Sequence, residues 1–593
     1  MFSSFSIWGW LTTQVNARRR LTIALTLLIA ALPAIQLATT VARWSVEVPS
    51  RDDWEMAPLI AKAHTGELTL ADLFAQQEEA RTFVPKLIFL LSAIDGHWDV
   101  RDEMMLSVAI CVLTAAGIYV LLRRSGLALG TTAICFWLTM LLIFSPAQFE
   151  LWIFASAFPS FLPVLCIIAS LVALEMNWSN GSKFAICVAL STVSTFTLAH
   201  GLLAWGLTFP VYLLTNRILY WKRWATAWSV LALACAVLFF YGYKKPAHLP
   251  PFGPALPPLD YLQFFLAFLG SELAYASKNA LALATAVGSV VMALFSLAAS
   301  YAISKWRDLT WRRRALPWFA LGLYSIGSGA LTTLGRVGFG VQYAISSRYV
   351  TFSLYATVAV IVLLALIGSE LVRSRASLIA RAWLIICCIV LTLVGLDLYR
   401  TCRASTLHFL HGMSARNRLA RSAILFSPVL DTSEVIKRFN YPAPQEATSR
   451  AAVLDRLRLT RPPLVQSAKI ADLPHEIADE RSASGLCESW VAVEGERWRV
   501  TGWAALPAKG RSADGVLLAY ETAGQGWIAF ALSDDVLWRY DIAKRLRRPD
   551  LAWSGWTAIF PRRAVPVGAR ISIWAVNADL PKLYRLKQTE GQF

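Results

Sequence analysis

The sequence predicts an α-helical polytopic membrane protein with about eleven transmembrane helices and a C-terminal extracytoplasmic β-sandwich. Composition is the first reason. The chain is 56% hydrophobic and 16% charged, where soluble domains carry about 25% charged residues. The second is the set of separate apolar runs of roughly 18 to 25 residues, each able to cross a hydrocarbon core about 30 Å thick. The third is a change of period. Beyond residue 485 apolar and polar residues alternate between turns rich in Gly, Pro and Asp, which is the pattern of antiparallel strands.

In chain order, Leu21–Val41 follows Arg18-Arg19-Arg20 and reads as an uncleaved first span running outward, since no A-x-A-like site follows it. The outer loop 42–103 should hold short amphipathic helices over Trp54–His64 and Leu70–Gln77, and an interfacial one over Phe83–Ile94. Met104–Leu122, Leu127–Ser145 and Pro159–Leu174 are the next spans. Phe184–Leu214 is too long for one helix, so it should divide at Ala199-His200-Gly201. Ala225–Tyr241, Ala280–Ile303, Ala315–Leu334, a span from about Ser346, and Ala382–Leu398 complete the count, with an interfacial helix over Tyr261–Tyr275. The domains are therefore a membrane domain over 1–400, a helical and irregular linker over 401–484, and the sandwich over 485–593. Strands are expected at Val491–Trp503, Gly515–Glu521, Trp527–Leu532 and Arg570–Val576.

A net charge of +18 raises the question of nucleic acid, and its distribution answers it. The basic residues cluster in alternate loops (Arg18–Arg20, Arg123-Arg124, Lys222-Arg223, Arg312–Arg314, Arg373 with Arg375), so they set topology by the positive-inside rule. No basic-aromatic nucleic-acid module is present. The partners are membrane lipids. Seven of the nine cysteines lie in apolar runs as small buried hydrophobes. Cys402 and Cys487 are the two that could pair outside the membrane.

The chemistry concentrates in Arg51-Asp52-Asp53-Trp54-Glu55. Adjacent carboxylates repel, and folding alone gives little reason for them, although Asp before a helix is also a good cap. Transfer of a sugar from a lipid-phosphate donor needs a carboxylate to take the acceptor proton, cations to stabilise the departing phosphate and a groove for the lipid chain. Asp52, Asp53 and Glu150 are the candidate catalytic acids, Glu150 because it stands beside Trp152 where a span leaves the membrane. Arg336, Arg348 and Tyr349, with Arg81, are candidates for the donor phosphate. Outer arginines run against the positive-inside rule, and guanidinium binds phosphate in a bidentate fork; snorkelling to head groups is the competing reading. Gly335, Gly338 and Gly340 would let backbone approach a ligand. Glu55, Trp54 and His200 are candidate substrate-binding residues, and the tail tryptophans are either core or sugar-stacking.

An inner amino terminus, one span, then Asp52-Asp53 in a long helix-bearing outer loop, with Glu150 as a second acid, resembles the GT-C superfamily of glycosyltransferases. The stretch Asp72–Pro85 resembles a loop of uncharacterised bacterial members that reads Asn-Glu-His-Arg where this chain has Glu78-Glu79-Ala80-Arg81. The resemblance implies an enzyme of a bacterial inner membrane that moves a sugar from a polyprenyl-phosphate donor to an extracytoplasmic glycan or lipid-linked acceptor. Inversion at the anomeric carbon and a possible divalent metal ion belong to the same expectation. A lipid-linked glycan flippase or transporter, and an O-antigen-type polymerase or ligase, remain open alternatives.

Overall fold

The computed structural model describes residues 27–588 apart from 95, 217, 251–256, 374–377, 477–484, 508 and 523–525. Arg18–Arg20, the start of the first expected span, and Arg375 lie outside the described residues. The chain forms a helical body followed by a two-sheet β domain, as its composition and period imply. Eight helices among the described residues are long and apolar enough to cross a membrane, which makes this a multi-pass membrane protein. They are Leu27–Trp44, Val100–Arg124, Leu129–Trp152, Ala155–Leu174, Trp221–Phe240, Ala280–Ser304, Ser347–Val372 and Ile385–Phe426.

The remaining expected spans take other forms. Phe184–Leu214 does break at its middle: a helix Asn180–Thr195 is followed by a tight turn, Ala199–Leu203, and two short helices, Ala204–Leu207 and Phe209–Thr215. Ala315–Leu334 lies inside one helix, Leu309–Arg336, whose first turns carry Arg312, Arg313 and Arg314. These guanidiniums bond to carbonyls at the C-terminal ends of neighbouring helices, Arg313 to Thr215 O at 2.9 Å and Arg314 to Ser125 O at 2.5 Å. Cations so placed close one end of the helical bundle.

The last span is the largest departure from the sequence reading. One helix runs from Leu378 to Phe426, 49 residues, or about 74 Å at the helical rise. No proline interrupts it, and Pro428 follows its end. Its first half is apolar and loosely packed, with Ile389 and Leu393 exposed, whereas Leu410, Leu419, Ala423 and Phe426 in its second half are buried. The same helix thus serves lipid below and a protein core above. Residues that read as a polar linker are its continuation, because the switch from lipid-facing to core-facing changes composition without changing helical propensity.

Two short helices, Ser433–Phe439 and Pro444–Arg456, then lead to the β domain. Its sheets are ordered His475–Glu476, Lys582–Arg585, Ile571–Asn577, Gly515–Thr522, Gly526–Leu532 and Lys587–Gln588, Gly485–Val493, Arg497–Leu506, Gly555–Pro561, Asp535–Leu537. Val500, Trp556 and Phe560 of one sheet meet Leu518, Ile573 and Tyr584 of the other in a shared core, so the domain is a sandwich. Pairings are antiparallel except for the two-residue edge strands. The expected strand Val491–Trp503 is instead the two arms of a hairpin, with Val493 opposite Arg497. Gly495 and Glu496 take positive φ there, the turn chemistry that reverses a chain. Trp503, Trp556 and Trp574 are core residues and Trp538 is exposed. The structure does not join Cys402 to Cys487 by a disulfide.

Candidate functional site

The acidic stretch forms a 3₁₀ turn, Arg51–Met56, held from behind by the segment after Ser433–Phe439. Arg51 N donates to Asn440 O at 2.8 Å, Trp54 Nε1 to Asn440 Oδ1 at 2.6 Å, and Asn440 Nδ2 to Pro49 O at 2.7 Å. Glu55 accepts from Tyr441 Oη at 2.5 Å and from Arg450 at 3.0 Å. Trp54 is buried, so Trp54 and Glu55, expected at the substrate, instead fasten this turn to the extramembrane helices.

The two aspartates separate. Asp53 is fully buried; its Oδ2 accepts from Ser50 N at 3.0 Å and its Oδ1 from Ser156 N at 2.6 Å. It caps its own turn and ties it to the turn Ala155–Ser160. Burial, against those hydrogen bonds, raises its carboxyl from 3.8 to about 6. Asp52 is accessible yet sits among enough protein that desolvation raises its carboxyl; Arg348, Arg51 and His248 act to lower it, and Glu55 to raise it. An accessible carboxylate with a raised proton affinity is what a general base requires.

Around Asp52 gather residues from four distant segments. Glu150, on the short helix Phe149–Trp152, accepts from Ser347 Oγ at 2.7 Å and lies 3.7 Å from Arg51 Nη1. Arg348 bonds to Tyr343 Oη, with its guanidinium 5.2 Å and 5.7 Å from the ring centres of Tyr343 and Tyr349. Among the described residues Arg348 has no carboxylate within ion-pair distance, and its Nε is buried without a partner. Arg336 is engaged by Glu79, Nη2 to Oε2 at 2.7 Å. Glu78 faces His248 at 3.3 Å and feels Asp52 and Arg336. Gly338 approaches Pro250 so closely that a Cβ would lie 2.4 Å from its ring, bringing the loop that carries His248 over this cluster. Arg51 and Glu78 both hold left-handed backbone at φ 49°, a conformation that costs about 1–2 kcal/mol for a side-chain-bearing residue and that concentrates at functional sites.

Arg81 and His200 do not join them. Arg81 donates to Phe239 O at 2.9 Å, Phe74 O at 2.7 Å and Tyr241 O, so its guanidinium is spent on the backbone between the first outer loop and the end of a span. His200 is stacked on Phe352 at 4.4 Å and bonds to Thr332 Oγ1 at 3.2 Å. The cluster also contains Arg51, Ser347, Glu78, Glu79 and His248, which sequence reasoning left out. Adjacency to Asp52 and Arg348 was the available signal for the first two; nothing local marks His248. Two further acids of the helical body are buried. Glu103 accepts from Trp98 Nε1 at 3.3 Å, and Glu272 accepts from Thr357 Oγ1 at 2.5 Å.

A cavity of about 860 Å³ opens between Leu129–Ile143, Ala280–Ser304, Val350–Arg373 and the long helix. Its lining is almost wholly apolar, including Leu138, Val290, Leu294, Leu364 and Ile389, and reaches Leu273 and Tyr399 at one end. Leu273 is two residues from Tyr275, whose ring meets Phe149 edge-on at 5.5 Å, next to Glu150. The Leu273 end of the groove thus shares the turn Ser271–Ala276 with Tyr275, which packs against the short helix carrying Glu150. Among the described residues no three His, Cys, Asp or Glu side chains are grouped to hold a metal ion.

No protein-family model matches the chain, and no curated protein matches it. Among solved structures it is similar to the apo crystal structure of the Archaeoglobus fulgidus oligosaccharyltransferase, at 14% identity and a TM-score of 0.40 over 76% of this chain. The chain spans 62% of the length of that protein.

Proposed function

We propose that the protein is a GT-C-type glycosyltransferase that moves a sugar from a polyprenyl-phosphate donor to a glycan or lipid-linked acceptor. The reaction faces the extracytoplasmic side of a bacterial inner membrane, with the amino terminus in the cytoplasm and the β domain outside. One observation carries the reading: Asp52, the accessible acid of the pair, stands within the field of Arg348, beside an arginine–carboxylate cluster that includes Glu150 and Arg51.

Asp52 accepts the proton of the acceptor hydroxyl as its oxygen attacks the anomeric carbon. The bond from that carbon to the donor phosphate oxygen breaks with inversion, and the electron pair leaves on the phosphate. Arg348, which lacks a carboxylate partner among the described residues, is the first cation to meet that charge. Arg336 is held by Glu79 and assists once a phosphate competes for it. Glu150, oriented by Ser347, takes a hydrogen bond from the acceptor sugar. Asp53 is a positioning residue that sets the turn carrying Asp52. The groove takes the isoprenoid chain. The divalent ion allowed by the resemblance has no ligand set assigned, and no step depends on it.

The test is turnover of a polyprenyl-phosphate sugar in membranes from cells making the intact chain. Asp52→Asn should lower turnover by about 10²–10⁴-fold. Full turnover in that variant ends the proposal.

A further inference from the structure

The β domain has a face that none of the preceding chemistry uses. It runs from Leu537 through the short helix Tyr540–Arg545 to Arg548. Ile542 and Ala543 point into the domain, while Trp538 is 45% exposed, Tyr540 61% and Leu546 41%. Trp538 and Tyr540 lie nearly parallel, 6.4 Å apart, and Lys544 is one helical turn from Tyr540, on the same side. Lys544, Arg545 and Arg547 are exposed. Among the described residues none of the three forms an ion pair, because the nearby acids are already neutralised. Asp541 is taken by Arg539 at 2.7 Å and Asp550 by Arg43 at 2.5 Å. The face therefore combines large amphipathic rings, two leucines (Leu537 and Leu546) and an unbalanced positive charge.

Its position is fixed by two contacts with membrane helices. Arg43, paired with Asp550, is the last residue but one of the first span, Leu27–Trp44. Trp538 meets His408 edge-on at 4.5 Å, and the neighbouring Phe409 packs at 5.6 Å on Phe149, where another span ends. The face thus lies level with the points at which helices leave the bilayer. Tyr and Trp prefer that depth, and basic residues there are drawn to anionic head groups. We propose that residues 537–548 bind the surface of the same bilayer through the phosphates of anionic phospholipids. This anchors the β domain at two kinds of contact, protein and lipid. The inference is independent of the glycosyl-transfer reading.

The experiment is amide hydrogen exchange on the full chain in lipid nanodiscs. Discs of phosphatidylcholine alone are compared with discs of phosphatidylcholine and phosphatidylglycerol at roughly three to one, where exchange over 537–548 should slow by about tenfold. High salt should remove the difference, since exposed charges are screened over about 8 Å at physiological ionic strength and over less above it. A variant carrying Lys544→Gln, Arg545→Gln and Arg547→Gln should show no lipid dependence, and these exposed side chains are outside the folded core. Equal exchange in the two lipids, or slowing that persists in the triple variant, overturns the proposal.

Discussion

Asp52 and Asp53 are adjacent in the chain, and their surroundings give them different tasks. Both oxygens of Asp53 are occupied by backbone amides, so it cannot turn to a substrate without releasing Ser156. Its carboxyl, raised by burial from 3.8 to about 6, binds a proton more tightly folded than unfolded. Its contribution to stability is therefore full below pH 3.8 and is lost as pH rises through about 6. In thermal unfolding of the detergent-solubilised protein, Asp53→Asn should flatten that part of the pH profile relative to wild type. It should also lower turnover, because an amide nitrogen would face one of the two backbone donors. Asp52→Asn should lower turnover and leave in place the change about pH 6 that Asp53 causes, a pairing that separates the two residues. Arg348 has the opposite character to Arg336. Arg348→Lys keeps a charge but loses the planar fork, and should raise KM for the donor about tenfold or more. Glu79→Gln, which frees Arg336, should not raise it.

The long helix Leu378–Phe426 is the element on which the molecule turns. At Gly412 it lets the β domain come close: an added Cβ would lie 2.7 Å from Trp553 Cζ2 and 3.0 Å from Cη2. Trp553 packs on His408 one turn earlier, so helix and sandwich share an aromatic seam. Gly412→Val forces these rings apart, and overpacking of this kind costs about 1–3 kcal/mol. The expected outcome is faster proteolysis between residues 427 and 475 with the helical body intact; unchanged cleavage rates would show the seam is not under compression. The turn Arg51–Met56 depends on the next part of the same chain. Asn440 reaches it three times, by one backbone and two side-chain hydrogen bonds.

At the scale of the whole molecule, the two bodies are joined by charge. Arg421, buried on the long helix, bridges Glu47 at 3.1 Å, just after the first span, and Asp579 of the β domain. Arg101 also pairs with Glu47, and Lys509 and Arg511 with Asp579. Their combined field, with Lys509 donating directly, holds the Asp579 carboxyl well below the usual carboxylate range despite burial. Removing Arg421 takes one cation from each acid while Arg101, Lys509 and Arg511 remain, so the cost stays below the roughly 3–5 kcal/mol of a fully orphaned buried charge. Arg421→Ala should lower Tm and uncouple β-domain unfolding from that of the helices. A single transition at the wild-type temperature would show that the joint is held by packing alone.

Composition and period alone determined the fold class. A membrane has no water to satisfy exposed backbone, so apolar runs of the right length are helices, and period-2 alternation between turns is a sandwich wherever one face is buried. The acidic pair, Glu150, Arg336 and Arg348 were visible as residues out of place, charges where apolar or inward-positive segments were expected. Tertiary structure decided which of them meet. Arg81 looked like a phosphate ligand and is consumed by three carbonyls, because hydrogen-bond partners 158 and 160 residues away leave no local trace. His248 enters the cluster from a loop whose own sequence names no function. Asp52-Asp53, the clearest mark in the sequence, was two carboxylates of equal standing. Only the backbone amides of Ser50 and Ser156, one of them from a distant turn, hold one acid buried while the other stays open to solvent.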